Sequence, residues 1–172
     1  MILSSQEIKE LIVKENLVSN FIDLGIQLQQ CGFDFSLEKV FKLNNHAIID
    51  FDNKERKIPE VEEIPFQKDY VLLPPGAYKI RFNEILKLPA NLAVIAQPRS
   101  GLVRSGVTVA TGFWDPGFEG KTESSLIISN AHGIKLKKNA RLIQVIFMKL
   151  TEDTKNLYNG EWTNIQNKKE YK

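Results

Sequence analysis

A chain of 172 residues with 42% hydrophobic and 26% charged residues matches one globular domain, which excludes a wholly disordered or fibrous protein. Its 23 Lys and Arg against 21 Asp and Glu leave a formal charge of +2, too near neutrality for a protein that coats nucleic acid. Apolar runs such as VLLP at 71–74 are too short to span a bilayer, the first residues lack a basic stretch followed by an apolar one, and a single cysteine, Cys31, builds no disulfide framework. The expectation is a cytoplasmic protein with neither a membrane nor a nucleic-acid polymer as partner.

The chain opens with a helix. Ser4 and Glu7 have the spacing of a capping box, and Ile8, Leu11 and Ile12 then fall on one helical face. After Gly32 the period changes to two: Phe33, Phe35 and Leu37 alternate with Asp34, Ser36 and Glu38, as in a half-buried strand. Short strand-like runs follow at 47–51, 70–74, 77–83, 92–97, 107–111, 125–129 and 141–150. They are separated by turn signals at Pro74–Gly76, Asp115–Gly117 and Asn130–Gly133. Many short strands without long helices between them predict a β-sandwich or barrel over 1–150. The polar segment 151–172, with Tyr158 and Trp162, reads as a tail that is either a loose end or a cover over a ligand.

Several chemistries are excluded by missing residues. No HxE…PCxxC set exists for zinc-dependent deamination, and no GxxxxGK[ST] loop exists for P-loop phosphoryl transfer. His46 and His132 are too few for a typical zinc site, and both read as structural or solvent-facing. The remaining signal lies in 97–121. Arg99, Ser100, Gly101, Arg104, Ser105 and Gly106 offer guanidinium forks, hydroxyls and closely approachable N–H groups, which suit a polyphosphate. Asp115 follows in a turn rich in glycine and aromatic residues, where a carboxylate beside a bound phosphate would orient and deprotonate a water. The plainer reading makes Arg-Ser-Gly the start of a short helix and Asp-Pro-Gly a simple turn.

PRSGLVRSG (98–106) followed by WDPGFEG (114–120) resembles the second and third motifs of the trimeric dUTPase and dCTP deaminase superfamily. GFDFSL (32–37) resembles the first motif, ARLIQVIF (140–147) the fourth, of the form R-x-x-Q, and YNGEW (158–162) the start of the closing tail. The resemblance implies a mainly β, distorted jelly-roll barrel with an N-terminal helix, assembled as a homotrimer that shares active sites between subunits, with dUTP as the nucleotide partner. It implies that Asp34 holds Mg2+ through water, that Arg99, Ser100 and Gly101 bind phosphates, and that Asp115 is the general base. Phe118 would pack against deoxyribose and exclude a 2′-hydroxyl, Gln144 would lie on the phosphate or nucleotide side, and the strand after Gly120 would read uracil through its backbone. Tyr158 would join the site from the tail.

The deaminase pattern RSxLxRxG is matched by Arg99, Ser100, Leu102, Arg104 and Gly106, which adds Arg104 to the nucleotide contacts. The deaminase glutamate is expected ten residues past Asp115 or three before Asn130. Those positions hold Ser125 and Ile127, and Glu123 needs a two-residue shift to serve. FWDPGFEG and ARLIQ are most similar to the archaeal branch of dUTPases, so the expectation is a dUTP diphosphatase. The alternatives are a dCTP deaminase, bifunctional or not, and a dUTPase-like protein that binds nucleotide with weak turnover. The tail lacks the glycine-rich, arginine-bearing closing loop of many dUTPases, and Lys168 and Lys169 are the cations it offers instead.

Overall fold

The computed structural model describes residues 1–160. Trp162, Lys168 and Lys169 lie outside the described residues. Helix α1 (Ser5–Glu15) begins at the expected capping box: the Ser4 hydroxyl accepts from Glu7 N–H, and the Glu7 carboxylate accepts from Ser4 N–H at 2.8 Å. It ends at Asn16, whose φ of 55° is tolerated by this residue type. Ile8 and Ile12 are buried. Leu3 N–H and Lys149 N–H bond across to Phe147 O and Met1 O, tying the chain start to the last strand.

The strands are β1 (Val18–Ser19), β2 (Leu28–Gln29), β3 (Gly32–Leu43), β4 (Val61–Glu63), β5 (Tyr70–Leu73), β6 (Gly76–Lys87), β7 (Leu92–Pro98), β8 (Val107–Ala110), β9 (Glu119–Ile128), β10 (Ile134–Lys137) and β11 (Arg141–Lys149). Two short helices, α2 (Leu24–Gln27) and α3 (Ser100–Arg104), interrupt them. One sheet runs β7-β11-β3-β6-β9-β8, with β1 on β6 and both β2 and β4 on β3; β5 and β10 form a separate ribbon. Trp114, past β8, bridges back to Val94 on β7, so the sheet nearly closes on itself. The expected mainly β barrel with an N-terminal helix is the observed architecture.

The core is aromatic and aliphatic. Phe33, Phe35, Phe82 and Phe147 are fully buried, and the rings of Phe21, Phe33, Phe35 and Phe82 follow one another edge to face at 5.7, 6.3 and 6.0 Å. The alternation in β3 predicted one wet face, yet Gly32–Leu37 are buried on both faces. Asp34 and Ser36 are therefore interior polar groups that need partners.

Other expectations shift. The run 47–51 is not a strand: only Ile48 pairs, with Lys57, and Ile49 and Phe51 are exposed. Here Asp50 accepts from Glu55 N–H and Asp52 from Lys54 N–H, so local side-chain bonds take the donors a ladder would use. β9 starts at Glu119 rather than 125, because its first half pairs with β6 through polar residues. β4 and β10, rich in Glu and Lys, carry little strand signal in the sequence.

Candidate active site

Two groups of side chains emerge. The first gathers around Asp34. Strand β3 sets Asp34 opposite Gln144 of β11, which in turn lies opposite Gln97 of β7. Gly32 leaves room for this arrangement: a Cβ there would sit 2.5 Å from Val145 O and 2.8 Å from Gln144 Nε2. Arg99 follows β7 and precedes α3, while Arg141 opens β11. Their Nη1 atoms lie 3.1 Å and 3.0 Å from the same oxygen, Asp34 Oδ2. Asp34 is 1% exposed, and the two arginine side chains are 34% and 31% exposed. Burial pushes the Asp34 carboxyl above the usual aspartate range, opposed by the charges of Arg99 and Arg141.

Ser100 and Gly101 form the first turn of α3, where N–H groups lack intrahelical acceptors, and both are exposed. A Cβ at Gly101 would meet nothing within 4 Å, so the space in front of this turn is open. Arg104 is exposed in the same helix. Arg-Ser-Gly thus begins a short helix, as the plainer reading expects. Arg141 is the site residue that the sequence reading left out. It stands in the R-x-x-Q motif, but only its pairing with Asp34 shows that it belongs beside Arg99.

The second group surrounds Asp115. Pro116 and Gly117 occupy the middle of a turn closed by Phe118 N–H donating to Asp115 O at 3.1 Å; a φ of 89° at Gly117 fits a type II turn. Gly117 N–H also bonds Leu88 O, and Trp114 is fixed by its bridge to Val94, so the exposed Asp115 stands on a braced corner. A cleft of ≈ 270 Å³ opens beside it, lined by Trp114, Asp115, Phe118, Thr122, Glu123 and Tyr158 among others. Phe118 is buried, and the Tyr158 ring lies 5.7 Å from it. Tyr158 N–H bonds Pro116 O, so the described part of the tail straps this turn.

Glu123 shares the cleft. Both of its oxygens lie 3.1 Å from Lys79 Nζ. Next to it, Glu38 receives Arg81 Nε at 2.9 Å and Lys121 Nζ. Thr122 Oγ1 is buried without a hydrogen-bond partner.

The structure brings Asp34, Arg99 and Gln144 together, with Ser100, Gly101 and Arg104 on the adjoining helix. It brings Asp115, Phe118 and Tyr158 together, and keeps the two groups apart. Trp114 pairs with Val94 near the start of β7, whereas Arg99 follows its end, which at strand spacing is a separation of roughly 15–20 Å. Asp34 is almost inaccessible and its Oδ2 is engaged by two guanidinium groups, a placement that does not fit direct coordination of a magnesium ion. Among the described residues no group of three or more His, Cys, Asp or Glu side chains is placed to hold a metal ion. His46 and His132 are exposed. Among the described residues no helix is long and apolar enough to cross a membrane.

The model of the dCTP deaminase-like family matches residues 2–150. A probable deoxyuridine 5′-triphosphate nucleotidohydrolase of Archaeoglobus fulgidus is 44% identical over 163 residues, covering 93% of this chain and 96% of that protein. The deoxyuridine 5′-triphosphate nucleotidohydrolase of Methanocaldococcus jannaschii is 37% identical over 154 residues, 87% of this chain and 97% of that protein. A crystal structure of 2′-deoxycytidine 5′-triphosphate deaminase from Agrobacterium tumefaciens superposes with a TM-score of 0.66 at 21% identity; it covers 87% of this chain, which spans about half, 47%, of that one. The chain belongs to the dCTP deaminase-like family. Its barrel is of the dUTPase and dCTP deaminase type.

Proposed function

We propose that this chain is a dUTP diphosphatase that cleaves dUTP to dUMP and pyrophosphate, with the base supplied by one subunit and the phosphate clamp by its neighbour in a homotrimer. The names and high coverage of the archaeal relatives support the substrate. The observation that carries the chemistry is the braced, exposed Asp115 carboxylate beside a cleft floored by Phe118.

In this reading a water attacks the innermost phosphorus and Asp115 accepts its proton. The bond to the bridging oxygen breaks, and pyrophosphate leaves. Arg99 and Arg141, with Ser100 and the N–H groups of Ser100 and Gly101, stabilise the charge that grows on it. Magnesium would enter with the triphosphate as part of the substrate and would neutralise its charge. The deoxyribose packs against the Phe118–Tyr158 pair, which leaves no room for a 2′-hydroxyl. Gln144 and Arg104 flank the phosphates. The separation along β7 is the reason for the shared site: a base and a clamp at opposite ends of one strand do not reach the same phosphorus.

Deamination of dCTP is the competing reading, because Glu123 lines the same cleft. Both of its oxygens already accept from Lys79, and the positions where the deaminase pattern places a glutamate hold Ser125 and Ile127. Incubation with dUTP and dCTP side by side, with and without Mg2+, separates the readings. Pyrophosphate and dUMP from dUTP, without ammonia from dCTP, is the expected result; bound nucleotide without pyrophosphate would indicate a binding protein. Asp115→Asn should lower kcat roughly 10²–10⁴-fold while nucleotide still binds. Wild-type turnover by that variant would remove Asp115 as the base.

A further inference from the structure

We infer that Asp34 is a positioning residue that fixes a two-arginine oligophosphate clamp, and that magnesium dependence does not pass through it. This rests on the diphosphatase reading for its substrate but on the fold alone for its geometry.

Two guanidinium groups repel, and bringing both to one point needs an anion between them. Asp34 Oδ2 is that point, 3.1 Å from Arg99 Nη1 and 3.0 Å from Arg141 Nη1. One carboxylate against two arginines leaves one positive charge over. Each guanidinium carries five N–H donors, and about a third of each arginine side chain faces solvent, so donors remain for an incoming anion. Open space in front of Gly101 lies on the same stretch of chain as Arg99. A water-mediated cation ligand needs the opposite placement: an exposed carboxylate, not one that is 1% exposed beneath two cations.

The surroundings lock Asp34 in place. Gln27 Nε2 donates to Asp34 O at 2.9 Å and to Glu84 Oε1 at 2.6 Å. Glu84 also accepts from Ser36 N–H at 2.8 Å and from the Ser36 hydroxyl at 2.6 Å, which pins the next inward residue of β3. Gln27 Oε1 accepts from Ile22 and Asp23 N–H at 2.7 Å and 3.0 Å, folding the 22–27 loop against the strand. The same loop offers Ile26 O to Arg141 Nη1 at 2.7 Å. The Asp34 backbone and Arg141 are thus held by a single clasp, and the Asp34 carboxylate between the two guanidinium groups places Arg99.

The test uses inorganic tripolyphosphate in EDTA, Mg2+ titrations at saturating dUTP, and dUMP as a ligand without the outer phosphates. Asp34→Asn, which keeps shape but removes the anion that gathers the two guanidinium groups, should weaken tripolyphosphate binding at least tenfold, the lost alignment outweighing the positive charge it unmasks. It should raise the KM for dUTP similarly, and leave both the dUMP dissociation constant and the half-saturating Mg2+ within twofold of wild type. An unchanged tripolyphosphate affinity, or a tenfold rise in half-saturating Mg2+, overturns the inference. Arg141→Gln carries the test if Asp34→Asn does not fold. It should weaken tripolyphosphate binding with the Mg2+ requirement unchanged, whereas a metal-binding Asp34 relieved of a competing cation would need less Mg2+. If wild type binds tripolyphosphate but does not hydrolyse dUTP, the diphosphatase reading fails while the clamp stands.

Discussion

Glu84 is a fully buried carboxylate whose hydrogen bonds come from Gln27 and Ser36, none of them from a charged donor. Burial pushes it above the ordinary glutamate value of 4.5, against the pull of those bonds. The folded chain therefore holds a proton that the unfolded chain has already released. The stability this contributes is fully present below 4.5 and is lost as pH rises through the raised native value. Thermal midpoints measured upward from pH 4.5 should show this decline in the wild type, with Asp34 adding in the same direction, and Glu84→Gln should flatten it. An unaltered profile in the variant would show that Glu84 is not the group responsible. Nothing near Glu84 in the sequence announces this role, since its hydrogen-bond partner Ser36 is 48 residues away. Asp34 and Arg99 were legible because their motifs carry them. Their mutual pairing was not, because a period-two pattern tells which face a residue takes and is silent on whether that face is covered.

The elements repeat that lesson at larger size. α1 was readable to its first residue because a capping box is a local bond pattern. The apolar run 47–51 misled because strand propensity is realised only against a partner strand, and here Asp50 and Asp52 close the chain on itself. The first half of β9 was hidden for the converse reason: Lys121 and Glu123 look like loop residues until Glu38, Arg81 and Lys79 are seen across the sheet. The corner at Gly117 offers a test of how turn and tail depend on each other. An alanine there would adopt a φ of 89° and place its Cβ 2.8 Å from Leu157 Cβ and 3.0 Å from Tyr158 N. The backbone strain alone costs about 1–2 kcal/mol. At roughly 2–4 °C per kcal/mol for a chain of this size, strain should lower Tm of Gly117→Ala by about 2–8 °C and the collision should add to that, measured by calorimetry. Adding Leu157→Gly should restore the part due to collision with the strap; no recovery would mean that turn strain is the whole cost.

For the whole molecule, the decisive feature is the length of β7. Asp115 is braced near its start and Arg99 stands past its end, so under the proposed reaction the base and the phosphate clamp of one chain lie too far apart to serve one substrate. The proposed homotrimer would resolve this, because a heterologous contact sets one surface of a subunit against a different surface of the next. If sites form in that way, two inactive variants can repair each other. Asp115→Asn keeps its clamp and Arg99→Ala keeps its base, so a mixed trimer contains some sites built from an intact base and an intact clamp. With equal amounts assorting at random, about one site in four is complete. Co-expressed or co-refolded mixtures should then regain roughly a quarter of wild-type activity, while each variant alone stays inactive. A site contained in one chain allows no such recovery at any ratio, so a mixture as inactive as its parts would place base and clamp in the same subunit and refute the shared site.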